Sequence, residues 1–128
     1  MNRRRILVAG IVGFLNVSRL TSRRAKADSG WIVDEIYGAA ARWGVSGDTL
    51  YNLAMCESNL NPGAVSHKLN QNGYHDLGLF QINPLTWDWW CGEMGFAGDI
   101  WSVAHQCEVA AWAVAHGYLC HWVCAWCG

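Results

Sequence analysis

The feature that most constrains this chain is its cysteine content: six in 128 residues, all at or beyond position 56. An even number of cysteines in a short chain points to disulfides, which small domains use to supplement a limited core. Cys56, Cys91, Cys107, Cys120, Cys124 and Cys127 are the candidates. A rival reading is a zinc site, because Cys120, His121, Cys124 and Cys127 offer three thiolates and an imidazole within a short stretch. No second C-x-x-C or H-x3-H half-site accompanies them, so the expectation is disulfides with no metal and no cofactor.

The basic residues sit almost entirely at the start. Seven of the nine (Arg3, Arg4, Arg5, Arg19, Arg23, Arg24 and Lys26) precede residue 28, and all ten acidic residues lie at or after Asp28. Arg3 to Arg5, the apolar stretch 6–17 and the small-x-small site Ala25-Lys26-Ala27 have the order of a cleavable export signal. The apolar stretch is too short to cross a bilayer, which takes about 20 residues. The sequence therefore predicts a signal peptide at 1–27 and one secreted or extracytoplasmic domain at 28–128, with no stable membrane insertion of the mature chain. That domain keeps only Arg42 and Lys68 against its ten acidic residues. Such a surface has no basic face for nucleic acid, so no nucleic-acid partner is expected.

Hydrophobic periodicity reads as mainly helical. A helix is predicted over 31–43, with Ile32, Ile36, Ala40 and Trp43 on one stripe and Gly44 as its stop. A second begins near Ser46 or Asp48 and carries Leu50, Leu53, Ala54 and Glu57 on one side, ending at Asn61-Pro62-Gly63. Asn70, Asn72 and Gly73 suggest a β-hairpin within 65–79, and short helical pieces are expected at 79–82 and 85–90. Asp99 is a candidate cap for a helix reaching His116, with Trp101, Ala104, Cys107, Ala111 and Val114 as its buried stripe. The class is α+β, mainly α: a helical lobe, a small hairpin lobe and a cleft between them.

The most informative strings are Glu57-Ser58-x-x-Asn61-Pro62-x-Ala64-x-Ser66 and Gly78-Leu79-Phe80-Gln81-Ile82-Asn83. Together they resemble the transglycosylase SLT domain of the lysozyme-like superfamily. The intervening Asn70-x-Asn72-Gly73-x-x-Asp76 is similar to transglycosylases associated with type IV secretion and to animal c-type lysozymes. Cys56-Glu57-Ser58 and Trp122-Val123-Cys124 resemble the catalytic domain of resuscitation-promoting factors. The last similarity implies a bridge from Cys56 to a cysteine near the C-terminus, such as Cys124. Cys91 and Cys107, which flank one loop, then make a second pair, leaving Cys120 and Cys127.

The resemblance implies a lysozyme-like fold that cleaves peptidoglycan glycan strands at the β-1,4 bond between N-acetylmuramic acid and N-acetylglucosamine. Cleavage needs a carboxylic acid that still holds its proton near neutrality. Glu57 is the candidate on physical grounds too. It falls in the last turn of its helix, where the macrodipole disfavours negative charge, and apolar residues precede it. By resemblance, Asp76 is the second carboxylate, either a nucleophile in retaining hydrolysis or a turn residue bonding local amides. Ser58, Gln81 and Asn83 are expected to orient the sugar, with Phe80 and Trp87 as stacking surfaces and Gly78 allowing close backbone approach. Many transglycosylases of this type carry A-x-Y-N-x-G near the C-terminus, and this chain has Trp122 to Gly128 there instead. The expectation is a monomeric lytic transglycosylase, with a hydrolytic lysozyme or a non-catalytic wall-binding module as alternatives. Its acidic surface predicts lysis that rises with ionic strength or falling pH.

Overall fold

In a computed structural model the described residues are 17–125, with side chains described from residue 29 onward. They form four helices: α1 (Val17–Trp43), α2 (Gly47–Ser58), α3 (Pro84–Met94) and α4 (Val103–Ala115), followed by a 3-10 turn at Leu119–His121. Two compact units divide the chain, 1–31 and 32–128. Of the first, the described part is the helical backbone of 17–31. The basic and apolar residues 1–16, which open the expected export signal, lie outside the described residues. No helix among the described residues is long and apolar enough to cross a membrane.

Local chemistry explains where the helices of the second unit begin and end. Ser46 caps α2 by accepting the Thr49 amide at 3.1 Å. Asn83 caps α3 by accepting the Leu85 amide at 2.9 Å, with Pro84 at the first helical position. Ser102 caps α4, a role expected of Asp99. Asp99 instead accepts the Trp101 amide in a turn before the helix. The later start leaves Trp101 outside α4 and exposed, which corrects its assignment to the buried stripe.

From Ile32 onward, α1 buries Ile32, Ile36, Ala39 and Ala40, and α2 buries Leu50, Leu53 and Ala54. α4 is buried on most of its circumference, including Gln106, Cys107, Val109, Ala110 and Trp112, and so is the central helix. Arg42 and Trp43 of α1 share the carboxylate of Glu108 on α4, the indole bond measuring 2.9 Å. Trp90 is fully buried among Trp112, Tyr118, His121 and Trp122, with ring centroids 5.0 to 6.5 Å away. This aromatic cluster joins α3 and α4 to the C-terminal segment.

The expected hairpin lobe is a turn without strands. The described residues contain no sheet, only two isolated antiparallel bridges, Val65 with Leu77 and Leu77 with Ile82. Polar side chains take up backbone groups that a ladder would use: Ser66 Oγ accepts the Asp76 amide and Asn72 Oδ1 accepts the Tyr74 amide. Residues 79–82 are likewise a tight bridged turn and not a helical piece. The mainly helical part of the expected class therefore stands, and its β part is corrected.

Candidate active site

Glu57 lies in the last turn of α2, which has no basic residue there to offset the helix dipole. Its side chain is half-buried, and that burial raises the carboxyl pKa above its ordinary value. A backbone hydrogen bond from Cys124 opposes the shift, and the negative charge of Asp76 adds to it. The sequence-predicted acid thus occupies a desolvated position with a second carboxylate close enough to be felt.

The backbone around Glu57 is conformationally unusual. Asn59, Leu60 and Gln81 are the non-glycine residues with positive φ among the described residues (54°, 61° and 49°). All three fall in the two strings singled out from the sequence. Such left-handed positions are costly for a leucine or glutamine and persist only where surrounding structure enforces them.

Three ties supply that enforcement by joining three segments in pairs. Ser58 Oγ at the end of α2 donates to the Leu79 carbonyl at 2.8 Å and also lies 3.1 Å from the Ala54 carbonyl. Trp122 of the C-terminal segment donates its indole N–H to the Phe80 carbonyl at 2.7 Å, in a buried bond. The Cys56–Cys124 disulfide returns from that segment to α2. Helix end, loop and C-terminal segment are therefore fastened to one another around the carboxyl-bearing turn.

A fourth element was not anticipated from sequence. Gln106 is a buried polar side chain on α4; its Oε1 accepts the Leu79 amide at 2.8 Å and its Nε2 donates to the Pro62 carbonyl at 3.2 Å. One carboxamide thus bridges both strings. Gly78 makes room for it: a Cβ there would lie 2.6 Å from Gln106 Oε1, and its φ is +80°. The expected close backbone approach at Gly78 is found, and its partner is a side chain of the core helix. A glutamine on the apolar face of α4 was the one available signal.

The other predicted residues divide by what they touch. Gln81 donates Nε2 to the Ala64 and Gly78 carbonyls at 3.2 and 3.0 Å. Asn83 is buried, capping α3 and exchanging amide bonds with Asn72 at 3.1 and 3.2 Å. Ser58, Gln81 and Asn83 therefore spend the polar atoms just described on shaping the loop. Asp76 accepts a bond from the Asn70 carboxamide, while its own backbone pairs with Ser66. Phe80 is only 1% exposed, and Trp87 is buried with its indole toward Gly98. Both rings belong to the buried core, and Trp87 also borders an open cavity beside Cys91.

The expected Cys56–Cys124 bridge is present, closing 68 residues of sequence. The expected Cys91–Cys107 bridge is not: both thiols are free and buried. Cys107 packs inside the core, where burial pushes its thiol up to about 12. Cys91 lies in an open cavity of about 470 Å³ with Trp87 and Gly98. Each behaves as a small apolar side chain on its own helix. Cys120 is disulfide-bonded, and Cys127 lies outside the described residues. With Cys120 and Cys124 both oxidised, the zinc reading loses the thiolates it required. A second cavity, about 240 Å³, opens between α2 and the C-terminal segment beside Leu53, Leu119 and Cys124. Neither cavity is lined by Glu57 or Asp76.

The model of the transglycosylase SLT domain matches residues 34–111, more than half of the chain. The chain belongs to the transglycosylase SLT domain family. No curated protein and no solved structure gives a significant match. Proteins of the SLT family are generally lytic transglycosylases acting on peptidoglycan. The matched span includes α2, both strings and Gln106, so the tied turn carrying Glu57 lies wholly inside the SLT domain. Trp122 and Cys124, which close the ties, lie beyond it.

Proposed function

We propose that this SLT domain is an exported lytic transglycosylase cutting the β-1,4 bond between N-acetylmuramic acid and N-acetylglucosamine, with Glu57 as acid and then base. The observation that carries the reading is the Glu57 carboxyl: half-buried at a helix C-terminus, with its pKa raised by burial. The glycan strand would lie across the end of α2 and the loop that bears Asp76. A carboxyl that keeps its proton can transfer it to the leaving glycosidic oxygen as the bond breaks. The carboxylate left behind then takes the proton of the muramic C6 hydroxyl, whose oxygen closes on the anomeric carbon as a 1,6-anhydro ring. Glu57 regains its proton, and the scheme uses no cofactor, metal or protein nucleophile. Export fits the oxidised Cys56–Cys124 pair, since disulfides persist outside the reducing cytosol.

Glu57→Gln keeps the size of the side chain and removes the transferable proton. Lysis of purified peptidoglycan should fall by at least about a hundredfold, while sedimentation with the wall is retained. Undiminished lysis would reject the enzyme reading and leave a wall-binding module.

A hydrolytic reading draws on the proximity of Asp76, whose charge reaches Glu57 and which is oriented by Asn70. Retaining hydrolysis would need the two carboxyls about 5 Å apart across the bond. Mass spectrometry of the muropeptides separates the two chemistries, because anhydro products are one water lighter. Asp76→Asn should leave anhydro product formation standing and abolish a hydrolytic route.

A further inference from the structure

We infer that Trp122 is a positioning residue for Glu57, its buried indole N–H closing a circuit of ties that holds the end of α2 against the 77–83 loop. The inference deepens the reading of Glu57 as the acid and rests on it. Glu57 has a tie on each side in sequence. Cys56 before it is bridged to Cys124, and Ser58 after it donates its hydroxyl to the Leu79 carbonyl at 2.8 Å. Trp122, two residues before Cys124, donates its indole N–H to the next carbonyl of the loop, that of Phe80, at 2.7 Å. The path from Cys56 through Cys124, Trp122, Phe80 and Leu79 to Ser58 therefore returns to the other side of Glu57. One covalent bond and two hydrogen bonds enclose the carboxyl-bearing residue.

A helix end needs such support. The last carbonyls of a helix lack partners within it, and its final turn frays. Asn59 and Leu60, both at positive φ, turn the chain out of α2 directly after Ser58. Two anchors on separate segments fix the last turn only if those segments are fixed to each other. The indole bond makes that join.

Trp122 acts through other residues, since it is only 4% exposed and lies among rings. Trp90 and His121 are its neighbours, with ring centroids 5.5 and 5.4 Å away. Burial in this cluster does not by itself provide an indole partner, because Trp90 is fully buried and its Nε1 has none. The Trp122 bond is therefore a specific feature of the circuit, and losing it would leave the Phe80 carbonyl without that donor away from water.

The test measures kcat and KM on soluble peptidoglycan strands, each rate being corrected for the folded fraction found by denaturant unfolding. One chain is semisynthetic and full-length, ligated at Cys120, with sulfur replacing the indole N–H of Trp122 and the bicyclic ring kept. The others are Ser58→Ala, the combination of both changes, and Trp112→Phe, which alters the same aromatic cluster but none of the three ties. The sulfur-substituted chain should lose about tenfold in kcat with KM unchanged, the signature of a displaced catalytic group. Ser58→Ala should lose as much. The combination should lose no more than either alone, because opening one tie already opens the circuit. Trp112→Phe should lose stability while keeping its kcat.

A retained kcat in the sulfur-substituted chain, or a loss confined to KM, overturns the inference. So do losses that multiply in the combination, which would make the ties independent, and an equal loss in Trp112→Phe, which would reflect general loosening of the cluster. Glu57→Gln lysing at the wild-type rate is a separate outcome that rejects the acid reading and, with it, the positioning role.

Discussion

Residues 65–75 and residues 77–83 flank Asp76 in sequence and neither forms a strand, yet they are built in opposite ways. The first exposes Val65, Leu69 and Tyr74 and is shaped largely by short-range bonds from Ser66, Asn70 and Asn72. The second buries Leu79, Phe80, Ile82 and Asn83 and is held by Ser58, Gln106 and Trp122, which are 21, 27 and 42 residues away from the groups they bind. A loop held by its own side chains tolerates change and can yield to a ligand. A loop held from three elements transmits the order of the core to the turn beside Glu57. The difference teaches that precision at this site comes from distant partners, while the Asp76 side is tuned locally.

Gly78→Ala should break the buried loop hardest. The new Cβ meets Gln106 at 2.6 Å in a left-handed backbone position, and a loss of about 3 kcal/mol is expected in denaturant unfolding. Gln106→Ala removes the shared carboxamide and leaves the Leu79 amide and Pro62 carbonyl without that partner. Its expected cost is about 2 kcal/mol, with lysis falling further than stability alone explains, as paired unfolding and turnover measurements would reveal.

A smaller effect links the loops through Glu57. Its folded-state pKa is raised, so the folded chain binds more protons than the unfolded one between the two values. That stabilisation is fully present below the unfolded pKa and is lost as pH rises through the folded one. Glu57→Gln, which cannot ionise, should therefore gain stability relative to wild type as pH rises across that window. A difference that stays constant with pH would place Glu57 in solvent. Least of all, Leu69→Ser in the exposed loop should change stability by no more than about 0.5 kcal/mol, since its side chain is 59% exposed. A larger loss would erase the contrast between the loops.

Much of this was readable in the chain itself. Periodicity placed Ile32, Ile36 and Ala40 on one buried stripe, and Ser46 was a candidate cap for α2, because helix faces and caps involve residues three or four apart. The paired strings led to the SLT family, and the similarity around Cys56 and Trp122 led to the bridge with Cys124. The hairpin failed as an inference because Asn72-Gly73 signals a turn, and flanking Ser and Asn side chains then competed for the ladder bonds.

The sequence by itself determined the main helical faces and the family, since each is written in near neighbours. Only the tertiary structure decided that Phe80 is core, that Cys91 and Cys107 stay apart, and that Gln106 and Trp122 hold the loop. Those outcomes depend on which groups lose water together when remote segments pack, and chain spacing does not encode that directly.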